Sequence, residues 1–167
     1  KLRLNHPGAR LLVVGGVPRT LDGLKKRLDA NHAGWDDWLH FAGSTSEPEK
    51  FMAAADAFLF PSYSEALALV EIEAAACGLP LFLTHHHGSE MVLENGVNGS
   101  LIDFDPDHIA RTLDRFLSGN WKPQRASLKR TLDRDGYAAG LVKLLRAAAP
   151  TTRNRPLPAK PEAAFNH

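Results

Sequence analysis

A chain of 167 residues that is 44% hydrophobic and 23% charged can bury one core of ordinary size and does not call for two domains. Its 20 basic and 19 acidic residues leave a net charge of +1, so composition gives no basic field for nucleic acid or an anionic membrane. No apolar run nears the roughly 18 residues of a bilayer span, and no signal-peptide pattern opens the chain. Cys77 is the only cysteine, which precludes an internal disulfide and makes a reduced, cytoplasmic setting the simplest reading.

In chain order, "KLRLNHPGARLLVVGG" reads as the end of a helix running into a strand over Arg10 to Gly16. No strand precedes that helix, so the chain reads as starting part-way through its first βα unit. "TLDGLKKRLDA" then places Leu21, Leu24 and Leu28 on one helical stripe and leaves Lys25, Lys26 and Arg27 to solvent. A second strand is expected over Trp38 to Gly43. "SEPEKFMAAA" follows, with Ser46 and Glu49 in capping-box spacing and Pro48 in the first turn.

Further strands are expected at "DAFLFPS" (Asp56 to Ser62), "PLFLT" (Pro80 to Thr84) and "GSLIDF" (Gly99 to Phe104). Most of these runs are continuously apolar rather than alternating, as in strands covered on both faces of a parallel sheet. "DPDHIARTLDRFL" opens with cap-type residues and turns Ile109, Leu113, Phe116 and Leu117 inward. A last helix is expected from about Gln124 to Ala148, then a proline-rich tail. Alternating strands and helices make this an α/β protein with a doubly wound, mostly parallel sheet. Residues 1–148 form the expected domain, N-terminally incomplete, and residues 149–167 a disordered tail or linker.

Chemistry concentrates between Pro61 and Pro80. A strand ends at "FPS", a short loop follows, and a helix is expected to begin near Glu65 or Ala66. Ligands of such sheets collect outside the carboxyl ends of the strands, where a helix start presents unpaired N–H groups and a positive dipole end. The amides of Leu67 to Val70 are therefore candidate anion donors. Small side chains at Ala66 and Ala68 let a ligand approach the backbone, and Glu65 suits a hydroxyl-bearing part of it. Were both on one helix, Glu65 and Glu73 would lie about 80° apart and about 12 Å along its axis. That spacing suits two parts of one extended ligand and not a catalytic carboxylate dyad. Glu71, about 160° from Glu73, should point elsewhere. A phosphate cradle between two hydroxyl acceptors is the outline of a nucleotide-sugar site. The ordinary alternative makes Glu65 a first-turn complement to the helix dipole and puts Glu73 in a buried salt bridge.

"PSYSEALALVEIEAAACGLPLFLT", followed by "HGSEMVLENGVNGSLID", resembles the signature of retaining nucleotide-sugar glycosyltransferases built from two Rossmann-like domains, the GT-B architecture. The resemblance runs from about Leu11 to Leu117. It implies that this chain is the C-terminal, donor-binding domain, with alanines at 66 and 68 where the family has glycines. Glu65 matches the catalytic-site glutamate that contacts hydroxyls of the donor sugar, and Glu73 the one that binds the donor ribose. Leu67, Ala68, Leu69 and Val70 match the turn whose amides hold the diphosphate, with Ser62 assigned to the same site. Phe41 to Ser44, Gly43 among them, match the region where the nucleobase packs. Gly15 and Gly16 match a glycine turn that serves tight chain reversal. The resemblance further implies a UDP- or GDP-linked hexose donor, no cofactor and no metal. It also implies an N-terminal acceptor-binding domain outside this chain, and peripheral association of the full protein with the inner face of the membrane. A nucleotide-sugar epimerase and a non-catalytic, degenerate α/β module are the competing readings.

His85, His86 and His87 leave a strand consecutively and so cannot converge on one metal ion; they are expected to line the rim of the cleft. Cys77 is expected in the core, and Trp35, Trp38 and Trp121 in packing or at helix ends. No G-x-G-x-x-G follows a first strand, which argues against a dinucleotide-dependent oxidoreductase. Nothing suggests a nucleic-acid partner.

Overall fold

The structure, a computed structural model, describes residues 2–65 and 68–125. The expected tail, and all but Gln124 and Arg125 of the expected last helix, lie outside those residues.

The elements run α1 (Leu2–Asn5), β1 (Leu11–Val14), α2 (Pro18–Asn31), β2 (Leu39–Gly43), α3 (Pro48–Ala53), β3 (Phe58–Phe60), α4 (Leu69–Ala76), β4 (Leu81–Thr84), β5 (Gly99–Ile102) and α5 (Pro106–Leu117). Every strand pairing is parallel. The strands form two sheets, β1–β2 and β3–β4–β5, so the expected open sheet is present in two parts. β1, β2, β3 and β5 each have a strand partner on one side only among the described residues.

β4 shows why these apolar runs become strands. All four of its residues are buried, because β3 and β5 cover its edges and other elements cover both faces. Leu81 and Leu83 join Met52 of α3 and Ala74 and Ala75 of α4 in one core cluster, with Val92 and Leu93. Phe82 points the opposite way, as strand alternation requires, and meets Phe116 of α5 at 5.5 Å and Trp121 at 5.9 Å between ring centroids. Helices therefore cover both faces of this sheet, which is the doubly wound, Rossmann-like arrangement. β1 differs: Leu11, Leu12 and Val14 are exposed, so its apolarity is not matched by burial among the described residues.

Two helix starts show how local chemistry sets boundaries. The Asp105 side chain accepts from the N–H groups of Asp107 and His108, so α5 opens on a full N-cap with Pro106 in its first turn. Asp105→Ala is expected to cost about 1 kcal/mol of stability, read as a lower urea midpoint at unchanged slope. The expected capping box of Ser46 and Glu49 does not form. Thr45 Oγ1 instead accepts from the Glu47 N–H, Glu47 becomes the N-cap, and no side chain caps α3.

α1 is fastened to α5 at Asp114, which accepts from Asn5 Nδ2 at 3.0 Å and pairs with His6 Nε2 at 2.9 Å. The Asn5 hydrogen bond, with His6 beside it, holds the Asp114 carboxyl below the ordinary range. The tryptophans pack as expected. Trp35 donates to Asp29 near the end of α2, and Trp38 lies under the Arg3 guanidinium. Cys77 ends α4 and packs against the core cluster.

Candidate functional site

The carboxyl ends of β3 and β4 meet at Ser62 and Thr84. Thr84 Oγ1 donates to the Ser62 carbonyl at 2.5 Å, and Ser62 Oγ donates to Glu65 Oε1 at 3.0 Å. These two bonds fix the chain leaving β3 and hold the half-buried Glu65 carboxylate beside the strand ends. Glu65 is thus not on a helix. α4 begins at Leu69, after Ala68 in an extended conformation (φ −83°, ψ 111°). The expected start at Glu65 or Ala66 is corrected by that geometry, and the helical angle between Glu65 and Glu73 no longer applies. Leu67 and its neighbour Ala66 lie outside the described residues.

The beginning of α4 is chemically open. No side chain caps it, because Ala68 stands at the N-cap where an oxygen-bearing residue would accept from the first turn. The Glu71 N–H donates to the Ala68 carbonyl at 3.0 Å. The amides of Leu69 and Val70 have no acceptor within the helix, as in any first turn. Ala68 is buried and Leu69 is exposed. Glu73, a turn further on, is exposed, which excludes the buried salt bridge of the ordinary alternative and leaves its carboxylate accessible.

Gly43 ends β2 in the other sheet, with φ 72°. Its carbonyl accepts from the Gly15 N–H at 2.7 Å, and Ser44 Oγ donates to the Gly16 carbonyl at 3.2 Å. The glycine turn after β1 and the loop after β2 are therefore joined at the carboxyl ends of their strands. Ser62, Glu65, Ala68, Leu69 and Val70 surround the β3–α4 connection, Glu73 lies along α4, and Gly43 belongs to the β1–β2 sheet.

The three histidines divide as strand alternation demands. His85 and His87 are exposed, and His86 is buried rather than on the rim. Among the described residues no group of three or more potential ligands could hold a metal ion. His86 Nε2 lies 2.7 Å from Glu71 Oε1, with both side chains almost wholly out of solvent. Burial is the main force on the Glu71 carboxyl and pushes it above the ordinary range. The charge of Glu65 adds to that push, while the bond to His86 opposes it. The pair escaped the sequence reading, although one signal was present: Glu71 shares the inward stripe of α4 with Ala74 and Ala75, three and four residues on.

A second unforeseen feature is aromatic. Tyr63, after β3, stacks on Phe104, after β5, at 3.9 Å with the rings 6° from parallel. Both are exposed, beside the strand ends.

Residues 1–132 match the family of glycosyl transferases group 1. The D-inositol 3-phosphate glycosyltransferase of Mycobacterium marinum is 32% identical over 131 residues, covering 74% of this chain and 28% of that protein. Sucrose synthase 2 of Arabidopsis thaliana is 38% identical over 99 residues, covering 54% of this chain and 12% of that protein. This chain thus spans less than a third of either relative. Among solved structures, HepE of Anabaena in complex with UDP superposes with a TM-score of 0.59 at 22% identity, over 70% of this chain and 34% of its own. The pneumococcal O-GlcNAc transferase GtfA, in complex with UDP and GlcNAc, gives 0.57 at 22% identity, over 71% and 24%. These two likenesses are of fold. With a family match over most of its length and the parallel α/β architecture in place, the chain belongs to the group 1 glycosyl transferases.

Proposed function

We propose that this chain is the donor-binding half of a retaining glycosyltransferase, which takes a hexose from a UDP- or GDP-sugar without a metal ion and passes it to an acceptor held by another domain. The observation that carries the reading is the uncapped start of α4 at the strand ends, with Glu65 fixed just before it and the exposed Glu73 just after it. An open helix start suits a diphosphate, and it would stabilise the charge that develops as the diphosphate leaves. Glu65, acceptor-only when ionised, suits sugar hydroxyls, and Glu73 suits those of ribose. Ser62 orients Glu65, the phosphates are assigned to the amides from Leu67 to Val70, and the nucleobase to the side of Gly43. The inositol phosphate glycosyltransferase and the UDP-bound neighbours support a nucleotide-sugar donor. The acceptor domain and a place at the inner face of the membrane belong to the same proposal. Among the described residues, no helix is long and apolar enough to cross a membrane.

Calorimetric titration of UDP, GDP, UDP-glucose and GDP-mannose tests this. Binding to one base is expected. Glu73→Ala should weaken the nucleotide and its sugar conjugate alike by about tenfold to a hundredfold, the worth of lost charge-assisted hydrogen bonds. Glu65→Ala should weaken only the conjugate. A folded chain that binds none of the four overturns the reading and favours the degenerate module, to which the alanines at 66 and 68 point.

A further inference from the structure

Glu71 and His86 have no part in the reading above, yet they are the most deeply buried ionisable side chains at the site. They come from different elements, the first turn of α4 and the loop after β4, and meet at 2.7 Å. Among the described residues, their outer atoms, Glu71 Oε2 and His86 Nδ1, are buried without a hydrogen-bond partner. Buried polar atoms left in this state call for an explanation beyond packing, because each costs free energy that two apolar side chains would not.

The surrounding charge sharpens the point. Between Lys50 and Arg111 the sequence contains neither lysine nor arginine, so histidines are the only side chains of this stretch that can become positive. From the β3–α4 connection, Glu65 acts on Glu71 through its charge. On the loop after β4, exposed His85 pairs with exposed Glu90 at 3.5 Å, and His87 is exposed. Glu73, further along α4, is exposed as well, so solvent screens all four.

We propose that Glu71 and His86 form a buried one-proton clamp that positions the first turn of α4, so that the site grips a nucleotide-sugar diphosphate tightly only while the clamp holds its proton. The proposal rests on the donor-site reading and adds a control to it. With one proton shared, the pair is neutral overall, whichever partner carries the proton. Once that proton is lost, a single negative charge stays buried in the first helical turn, beside Glu65. Both carboxylates then oppose an incoming diphosphate, and the attraction between α4 and the loop weakens. Affinity should therefore fall as pH rises and the pair gives up its proton.

The test uses the full chain labelled with nitrogen-15, followed by NMR between pH 5 and 8.5, with UDP-glucose and GDP-mannose affinities measured in parallel. Sugar nucleotides are the right probes, since free diphosphates end in a phosphate that itself titrates near pH 6. The amide signals of Leu69, Val70 and Glu71 should move with the ring nitrogens of His86 in one transition. Affinity for the bound conjugate should drop about tenfold across it, the scale of one added charge at short range. Glu71→Gln keeps the shape and should abolish both the amide response and the pH slope. Should that variant fail to fold, the paired change Glu71→Leu with His86→Leu keeps apolar volume and should abolish the slope equally. A slope that survives either change, or a His86 transition that leaves the three amides still, overturns the clamp. If neither conjugate binds at any pH, the donor reading fails, and the ring-to-amide coupling decides the clamp by itself.

Discussion

Gly99→Ala is expected to lower the unfolding free energy by about 3 kcal/mol, at the upper end of overpacking costs. Gly99 opens β5 opposite Leu81 in the parallel pairing. A Cβ built there would stand 1.9 Å from the Leu81 carbonyl oxygen and 2.7 and 2.8 Å from its carbonyl carbon and amide nitrogen. The obstacle is backbone, not the far end of a side chain that could swing away. It is backbone of the central strand, held by β3 on its other edge and buried on both faces. β5 must therefore retreat, which loosens its ladder and the packing of Leu101 and Ile102. Against a typical total stability of about 5–15 kcal/mol, that loss is large. Gly23→Ala is the counter-experiment. Gly23 lies inside α2, where an added Cβ meets nothing within 4 Å, so alanine there should stabilise by about 0.5–1 kcal/mol. Urea unfolding of the two variants should move the midpoint in opposite directions. An unchanged midpoint for Gly99→Ala would refute the register of β5 against β4.

His86→Ala is expected to cost about 3–5 kcal/mol, because it strands the Glu71 carboxylate in the interior without its partner. The sign with pH follows from the carboxyl itself. Burial already raises the Glu71 carboxyl above its ordinary range, and His86 is the group that pulls it back. Without His86 it rises further. A carboxyl raised in the folded state favours folding when protonated. That contribution is whole below the unfolded value, near pH 4.3, and is lost as pH climbs through the folded one. The cost of His86→Ala should therefore be small near pH 4.5 and grow steadily toward pH 8. Adding Glu71→Gln to the same chain should recover much of the loss at pH 8 and little at pH 4.5. Denaturant melts at the two pH values decide it. An equal loss at both would reduce the effect to the cavity left by the imidazole.

Legibility followed burial. β4 was plain in the sequence because its apolar run is closed by turn residues on both sides. α5 was plain because its stripe and its Asp105–Pro106 start agree. The start of α4 was missed for a physical reason. "EALALVEIEAAA" favours helix throughout, so local propensity gives no cue for the extended Ala68. The loop before it is held instead by a contact from a strand far along the chain, Thr84 to the Ser62 carbonyl. Of the candidate site, Glu65 and Glu73 were singled out by residue type and by the family resemblance, while the helical spacing expected between them does not hold, since α4 starts at Leu69. The Glu71–His86 pair was not singled out, since recognising it needs α4 already packed on β4.

The placement of the tryptophans has a practical consequence. Trp35 and Trp38 flank the entry to β2, whereas Trp121 lies edge-on against Phe82 in the middle of the β3–β4–β5 sheet. With Trp35 and Trp38 both replaced by phenylalanine, the emission of the molecule would report on one sheet alone. With Trp121 replaced, it would report on the other. Coincident melts would mean that the two sheets share one cooperative transition. Separate melts would mean that each is its own melting unit, and that the sheet bearing the uncapped helix could loosen while the other stays intact.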